Sequence, residues 1–379
     1  MFVERYCSLL KYIEMASSKS KVNVLGVPWN FAQIWNLTLD NIEDRPSVAR
    51  DYMYASELGG SFCDRYLKMY GVKPTNPPNV RSKRKFQAGH MWEWVIGMVL
   101  ISSGMLKKQQ VRVESKLPKM LRVSGRLDFI CGGDIDWKYA KENVKKIQDS
   151  LLLLDIELPP FFFTAIDKFI DKYSGQRLAE TVLEMKSISS FMMEKVQKTG
   201  PMSHNVLQNF HYVYGNDQGI QTGKLMYVCK DDCIMEEFEI AKDEETLKKY
   251  RDDIRLMTKY YNAGFDKKNP TALMPPKEPL VLFEEGVWRF SKNFKVEYSS
   301  YLKMLYGYET PEAYRMAWQY KISSWNRVFK RAVRGDRMTD NNLKVIKEVE
   351  PIFPQWGKYI KMAKAAGAFA KPEEEGEDE

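Results

Sequence analysis

The sequence predicts an α/β protein: a small mixed central sheet flanked by helices, with a helical insertion and a basic helical C-terminal region. Three observations predict it. Between residues 54 and 268 strand-like segments alternate with helical ones in the order helix, strand, strand, insertion, strand, helix, strand, strand, helix. No repeat at 20–50-residue spacing is present, which argues against a solenoid. A loop with four prolines, NPTALMPPKEP (269–279), then separates this alternation from a region rich in Lys and Arg.

The elements follow in order. Residues 1–53 read as an irregular to helical segment that opens on an amphipathic stretch, MFVERYCSLLKYIEM. A turn and a helix are expected over 54–71, then a basic cluster, RSKRK (81–85), leading into a helix over 86–104 that Gly104 stops. Alternation over 109–117, closed by Pro118, and the β-rich stretch 121–133 predict two strands. Residues 137–180 turn polar and helical around an apolar knot at 151–166, and read as an insertion. TVLEMKSIS (181–189) returns to strand, HNVLQNFHYVYG (204–215) to helix, and 224–232 with 234–243 to a hairpin. The stretch 243–264, acidic at its start and stopped by Gly264, predicts the last core helix. The domain expectation is therefore 1–53, a core over 54–268, a basic helical domain over 280–370, and an acidic disordered tail over 371–379.

Composition narrows the class. The 379 residues are 44% hydrophobic and 28% charged, as in ordinary globular proteins, and allow one large domain or two smaller ones. No apolar run approaches the roughly 18 residues a membrane span needs, so no membrane partner is expected. Five scattered cysteines without an export signal point to reduced thiols and a cytoplasmic location. Cys229 and Cys233 are the one close pair, and three histidines in the whole chain make a structural zinc site an unfavoured reading. The net charge is +8, but residues 289–371 alone hold 17 Lys/Arg against 7 Asp/Glu. A nucleic-acid surface with a self-screening acidic tail fits that distribution; a solvated helical face fits it equally.

The chemistry concentrates in TVLEMKSIS. Glu184 and Lys186 lie two apart on a strand and so share one face, while Met185 points into packing. Charge inside a strand is costly unless paired or metal-bound. Asp128, between Leu127 and Phe129 in the earlier strand, is a second acid in an apolar setting. If the strands are neighbours, Asp128 and Glu184 converge, and two carboxylates repel unless a cation lies between them. Hard oxygen ligands suit Mg²⁺, with Mn²⁺ able to substitute. Lys186 would then orient a water or neutralise charge on a phosphate, which is the residue set for metal-assisted phosphodiester hydrolysis. An ordinary exposed ion pair accounts for the Glu-x-Lys spacing alone just as simply.

The order of these residues resembles the PD-(D/E)xK nuclease superfamily. The nearest branch holds the nuclease domain of the bacterial recombination helicase–nuclease, the CRISPR-associated Cas4-like nucleases and the phage lambda-type exonucleases. The residues that carry the resemblance are Gly125 to Asp128 (GRLD), Glu184 to Lys186 (EMK), Gln208 to Tyr212 (QNFHY) and, upstream, Gly89 to Glu93 (GHMWE). It spans roughly residues 54–240. It implies a restriction-endonuclease-like core and a Mg²⁺-dependent DNA nuclease, an exonuclease of recombination, repair or replication. A site-specific endonuclease, a junction resolvase, or a catalytically idle DNA-binding or assembly protein on the same fold are the alternatives. It implies Asp128 and Glu184 as metal ligands, with Glu93 and His90 completing the metal site, and Lys186 as the group that positions water. Gln208 and Tyr212, four apart on one helix face, would orient the substrate strand or Lys186. DNA is the implied partner, with a second copy of the chain or a recombination protein as further ones, in the host cytoplasm if phage-encoded.

Members with an iron–sulfur cluster carry one Cys before the core and three after it. Cys63 fits the first place, but Cys229 and Cys233 lack a third companion, so no cluster is expected and Cys63 reads as a packed thiol. Phosphate contacts are expected from Arg81, Lys83, Arg84 and Lys85. In the C-terminal region, Trp318, Ile322, Trp325 and Phe329 form a helical stripe that reads as core. Arg327, Lys330, Arg331, Arg334 and Arg337 are then left for the backbone of DNA.

Overall fold

The computed structural model describes residue 38 and residues 46–153 and 160–369. The amphipathic stretch at the N-terminus, part of the apolar knot at 151–166 and the acidic tail lie outside the described residues.

A six-stranded mixed sheet carries the core. Strands β1 (Tyr52–Tyr54), β2 (Leu106–Lys116), β3 (Arg122–Gly133), β4 (Leu178–Ile188), β5 (Thr222–Cys229) and β6 (Met235–Ala241) assemble around β3 and β4. β2 pairs antiparallel with β3 from Lys116↔Arg122 to Leu106↔Cys131 and so occupies one edge of β3. Both β1 and β4 must use the other edge. They do so in separate registers, β1 parallel against Arg122–Ser124 and β4 antiparallel from Phe129↔Leu183 to Gly133↔Leu178. Among the described residues Gly125, Arg126, Leu127 and Asp128 have no strand partner on that edge. β3 and β4 fork where their pairing stops, and Asp128 and Glu184 are the first residues past the last pair. β5 runs parallel to β4 and forms the expected hairpin with β6.

Helices cover both faces. Helix α1 (Phe62–Met69), α6 (Ser203–Gly215) and α7 (Glu244–Asn262) pack on one face against Val123, Leu127, Val182, Leu225 and Tyr227. The other face, with Phe129, Cys131, Leu183, Met185, Met226 and Val228, takes Ile96 and Leu100 of the long helix α2 (Val80–Ser102). Leu127 and Phe129 therefore pack on opposite faces although residues two apart share a face in a regular strand. β3 turns over at Asp128.

The insertion is a helical hairpin, α3 (Trp137–Leu153) and α4 (Pro160–Tyr173), closed by Ala140, Val144, Ile166 and Ile170 and resting on Val99 of α2. It ends earlier than expected, because residues 178–180 already belong to β4. Three further differences stand out. β1 brings residues 52 and 53 into the sheet, so the core starts inside the segment expected to be irregular. RSKRK is not a preceding loop but the first turns of α2, which Asn79 caps by accepting from Ser82 N–H. Residues 190–199, unassigned from sequence, form helix α5 (Ser190–Thr199).

The C-terminal region has its own core. Hairpin β7 (Val281–Glu284) and β8 (Arg289–Lys292) packs on α10 (Pro311–Arg334), α11 (Asp340–Val349) and α12 (Trp356–Ala365), around Phe290, Trp325, Phe329 and Trp356. The expected stripe of Trp318, Ile322, Trp325 and Phe329 is buried there. Two short helices, α8 (Phe294–Glu297) and α9 (Leu302–Tyr306), join this region to the first. Asp64 of α1 accepts from Ser299 Oγ at 2.6 Å and Ser300 N–H at 2.8 Å, and Tyr301 is buried in the first core. Cys63 is buried as a packed thiol that donates to the Pro275 carbonyl, and burial pushes it up to about 12. Among the described residues no helix is long and apolar enough to cross a membrane.

A buried histidine makes the fold acid-sensitive. His211 of α6 donates from Nε2 to the Val113 carbonyl at 3.3 Å, which leaves Nδ1 as the acceptor for Tyr250 Oη (3.0 Å) or Ser115 Oγ (3.2 Å). Burial lowers it to about 4. Between that value and its unfolded value of about 6.5 only the unfolded chain takes up the proton, so stability falls as pH drops through this window. Urea unfolding should show wild type losing about 3 kcal/mol more than His211→Gln over that range. Equal losses in the two proteins would show that the fold places no penalty on protonating His211.

Candidate active site

The fork between β3 and β4 collects the charged residues of the core. Asp128 extends its carboxylate across the gap and accepts from Met185 N–H at 2.9 Å, replacing the backbone bond lost where the strands part. Glu184 follows the last strand pair and is 2% exposed. Its Oε1 accepts from Lys186 Nζ at 2.5 Å and Gln208 Nε2 at 2.7 Å. Among the described residues its Oε2 is buried with no hydrogen-bond partner. Lys186 reaches the same face of β4, as the strand period requires, and remains 26% exposed.

α6 supplies the support. Gln208 and Tyr212 sit one turn apart on its inner face, and Gln208 Nε2 also lies 3.2 Å from Tyr212 Oη. Tyr212 donates to the Arg126 carbonyl in the unpaired run of β3. This explains Gly125: a Cβ there would lie 2.7 Å from Tyr212 Cε1 and 2.6 Å from Ala55 Cβ. The glycine leaves room for the ring that holds the strand. Gln208 and Tyr212 are both buried, and Gln208 is bonded to Glu184.

Electrostatics mark the fork as strained. Burial raises the Asp128 carboxyl well above its ordinary value, and the neighbouring Glu184 raises it further. Burial also raises Glu184, against the pull of Lys186. Lys186 is opposed by burial, yet Glu184 and Asp128 more than compensate and raise it. One lysine thus serves two buried acids, and burial shifts both of them toward the neutral form.

Glu93 and His90 are not drawn into a common ligand shell. Among the described residues no three His, Cys, Asp or Glu side chains come together as a metal-binding group. Glu93, on α2, is held by a hydrogen bond from Gln110 Nε2, with His90 Nδ1 3.4 Å from its other oxygen. It still acts on both Asp128 and Glu184 electrostatically. His90 is exposed. Gln110 gave no signal in the sequence. It lies across β2 from Asp128, between the pairs Gln109↔Phe129 and Val111↔Leu127, and has φ +54°. A non-glycine residue held there is strained, and such strain gathers at functional sites.

The residues expected to bind phosphate are on two surfaces. Arg81, Lys83, Arg84 and Lys85 lie in the first turns of α2, with no acid among them. The helix dipole disfavours cations at that end, so their placement works against helix stability unless an anion offsets it. Lys230, after β5, donates to the Lys85 carbonyl and adds to this cluster. Arg327, Lys330, Arg331 and Arg334 line the exposed side of α10, and Arg337 is exposed just beyond its end; Arg334 also donates to the Phe369 carbonyl.

No protein-family model and no curated protein matches the sequence. Solved structures align with it at long range. The crystal structure of SSO0001 covers 60% of this chain and 87% of its own, at TM-score 0.33 and 16% identity. An alkaline exonuclease from Laribacter hongkongensis covers 56% of this chain and 89% of its own, at TM-score 0.30 and 10% identity. At these values the chemistry of the fork has to stand on its own residues.

Proposed function

We propose that the protein is a divalent-metal-dependent deoxyribonuclease of the PD-(D/E)xK kind, acting as an exonuclease in DNA recombination, repair or replication. The observation that carries this is the unpaired, buried Oε2 of Glu184 beside the buried Asp128 carboxylate. A buried anionic oxygen without a donor is costly, and a cation between the two acids would satisfy it. The donor set is oxygen only, which fits Mg²⁺ or Mn²⁺. Asp128 and Glu184 would hold the ion, with Glu93 adding negative potential from α2.

Bound there, a divalent ion supplies Lewis-acid polarisation of the phosphate and a more acidic water. The chain's own residues do the rest. Gln208 and Tyr212 keep Glu184 fixed. The Lys186 ammonium, on a side chain that is 26% exposed, orients the attacking water and offsets the charge that gathers on the phosphate oxygens. Water oxygen bonds to phosphorus as one P–O ester bond breaks, and the departing oxygen leaves as a hydroxyl. The cations at the start of α2 attract the polyanion whatever its sequence.

The test is digestion of linear duplex, linear single-stranded and circular DNA with Mg²⁺, Mn²⁺ or chelator. Loss of nucleotides from linear ends only with metal is the expected result. No digestion of any of them with either ion would overturn the proposal.

A further inference from the structure

The row of α6 side chains that holds Glu184 continues outward. Tyr212 and Gln208 face the acid, and one turn further, at the same spacing of four, stands His204. Its imidazole is lowered by burial first, then by the charges of Lys186 and Lys295, so it lies within electrostatic reach of both. Its backbone is wedged against Gly59, where a Cβ would meet His204 Cα at 3.1 Å. The ring of Phe294 lies beside it, centroids 6.0 Å apart and planes tilted 37°.

Phe294 belongs to α8, the short helix that joins the C-terminal region to the core. It is 51% exposed, and Tyr298, one turn on, is 68% exposed, while Val296 and Glu297 between them are buried. A single exposed aromatic is unremarkable. Here two are exposed together, one at the first position of α8 and one at its C-cap. Phe294 stands beside a histidine in line with the active-site row, which the charges of Lys186 and Lys295 both reach. Flat rings among cations are what unpaired bases and their phosphates recognise together. The bases of a duplex stack on one another and offer no free face.

We propose that His204 and Phe294, flanked by Tyr298, form a stacking platform that receives unpaired bases of single-stranded DNA at the mouth of the Asp128–Glu184–Lys186 site. The direction of entry rests on the nuclease reading; the platform itself is a binding surface and can be measured apart from cleavage.

The experiment measures binding in chelator, where no cleavage proceeds, of a labelled oligothymidylate, an abasic oligomer of equal length and a blunt duplex. Phe294→Ala should weaken oligothymidylate binding on the order of tenfold, leave the abasic oligomer and the duplex unchanged, and be rescued by Phe294→Trp. Unchanged oligothymidylate binding, or an equal loss on the abasic oligomer, would overturn the platform. Metal-dependent digestion is followed in parallel. Intact digestion with an unaffected Phe294→Ala variant removes the platform alone, and absent digestion in wild type with the expected base-dependent binding removes the nuclease reading alone.

Discussion

Lys186→Ala is expected to slow Mg²⁺-dependent DNA digestion by about 10²- to 10³-fold, the loss typical of removing one preorganised charged donor from a reacting centre. The variant should also be less stable than wild type in chelator, because Glu184 and Asp128 would then face each other with no cation between them. Breaking a buried pair in this way costs about 3–5 kcal/mol. The sharper expectation concerns metal. A divalent ion replaces the missing positive charge, so Mn²⁺ should raise the melting temperature of Lys186→Ala more than that of wild type. Thermal unfolding with and without Mn²⁺, beside single-turnover digestion, reads both effects. Wild-type digestion by the variant would remove Lys186 from the mechanism. A variant that is inactive and gains nothing from Mn²⁺ would show that the two acids do not form the ion's seat.

Part of this site was legible because strand and helix periods are local rules. The Glu-x-Lys spacing fixed one face for Glu184 and Lys186, and the four-residue spacing of Gln208 and Tyr212 fixed another. What brought the two faces together was the neighbouring of β3 and β4 across a long helical insertion. That could be expected only from the order of motifs. Other features had no local signal. β1 is three residues long and gains its identity from a distant partner, Arg122–Ser124. The strain at Gln110 arises where β3 turns over, and nothing in the side chain of a glutamine announces a positive φ. Gln208 and Tyr212 were expected to orient the substrate strand or Lys186; helix periodicity gives only their shared face, and both side chains are buried beside Glu184. His90 and Glu93 were grouped by the same periodicity. The two do meet, with His90 Nδ1 3.4 Å from Glu93, and Glu93 also accepts from Gln110 of β2, a contact no sequence spacing reveals.

Asp128→Asn is expected to make the protein more stable without metal and inert with it. The asparagine carbonyl oxygen can still accept from Met185 N–H, so the strand fork keeps its one bridging bond. What disappears is one of two like charges in a buried cluster that Lys186 alone must balance. The new amide also brings N–H donors into a space where Glu184 Oε2 has none. Removing uncompensated buried charge commonly gains about 1–4 kcal/mol, and a gain near the lower end corresponds to a few degrees in melting temperature for a chain of this size. Mn²⁺, which should stabilise wild type by binding the native state, should stabilise the variant little. Activity should fall to the background seen in chelator. A melting temperature below wild type in chelator would mean that the Asp128 charge is satisfied by the fold itself. The reason to keep a destabilising acid would then vanish, because only a ligand that needs the charge accounts for a site held at the expense of the fold.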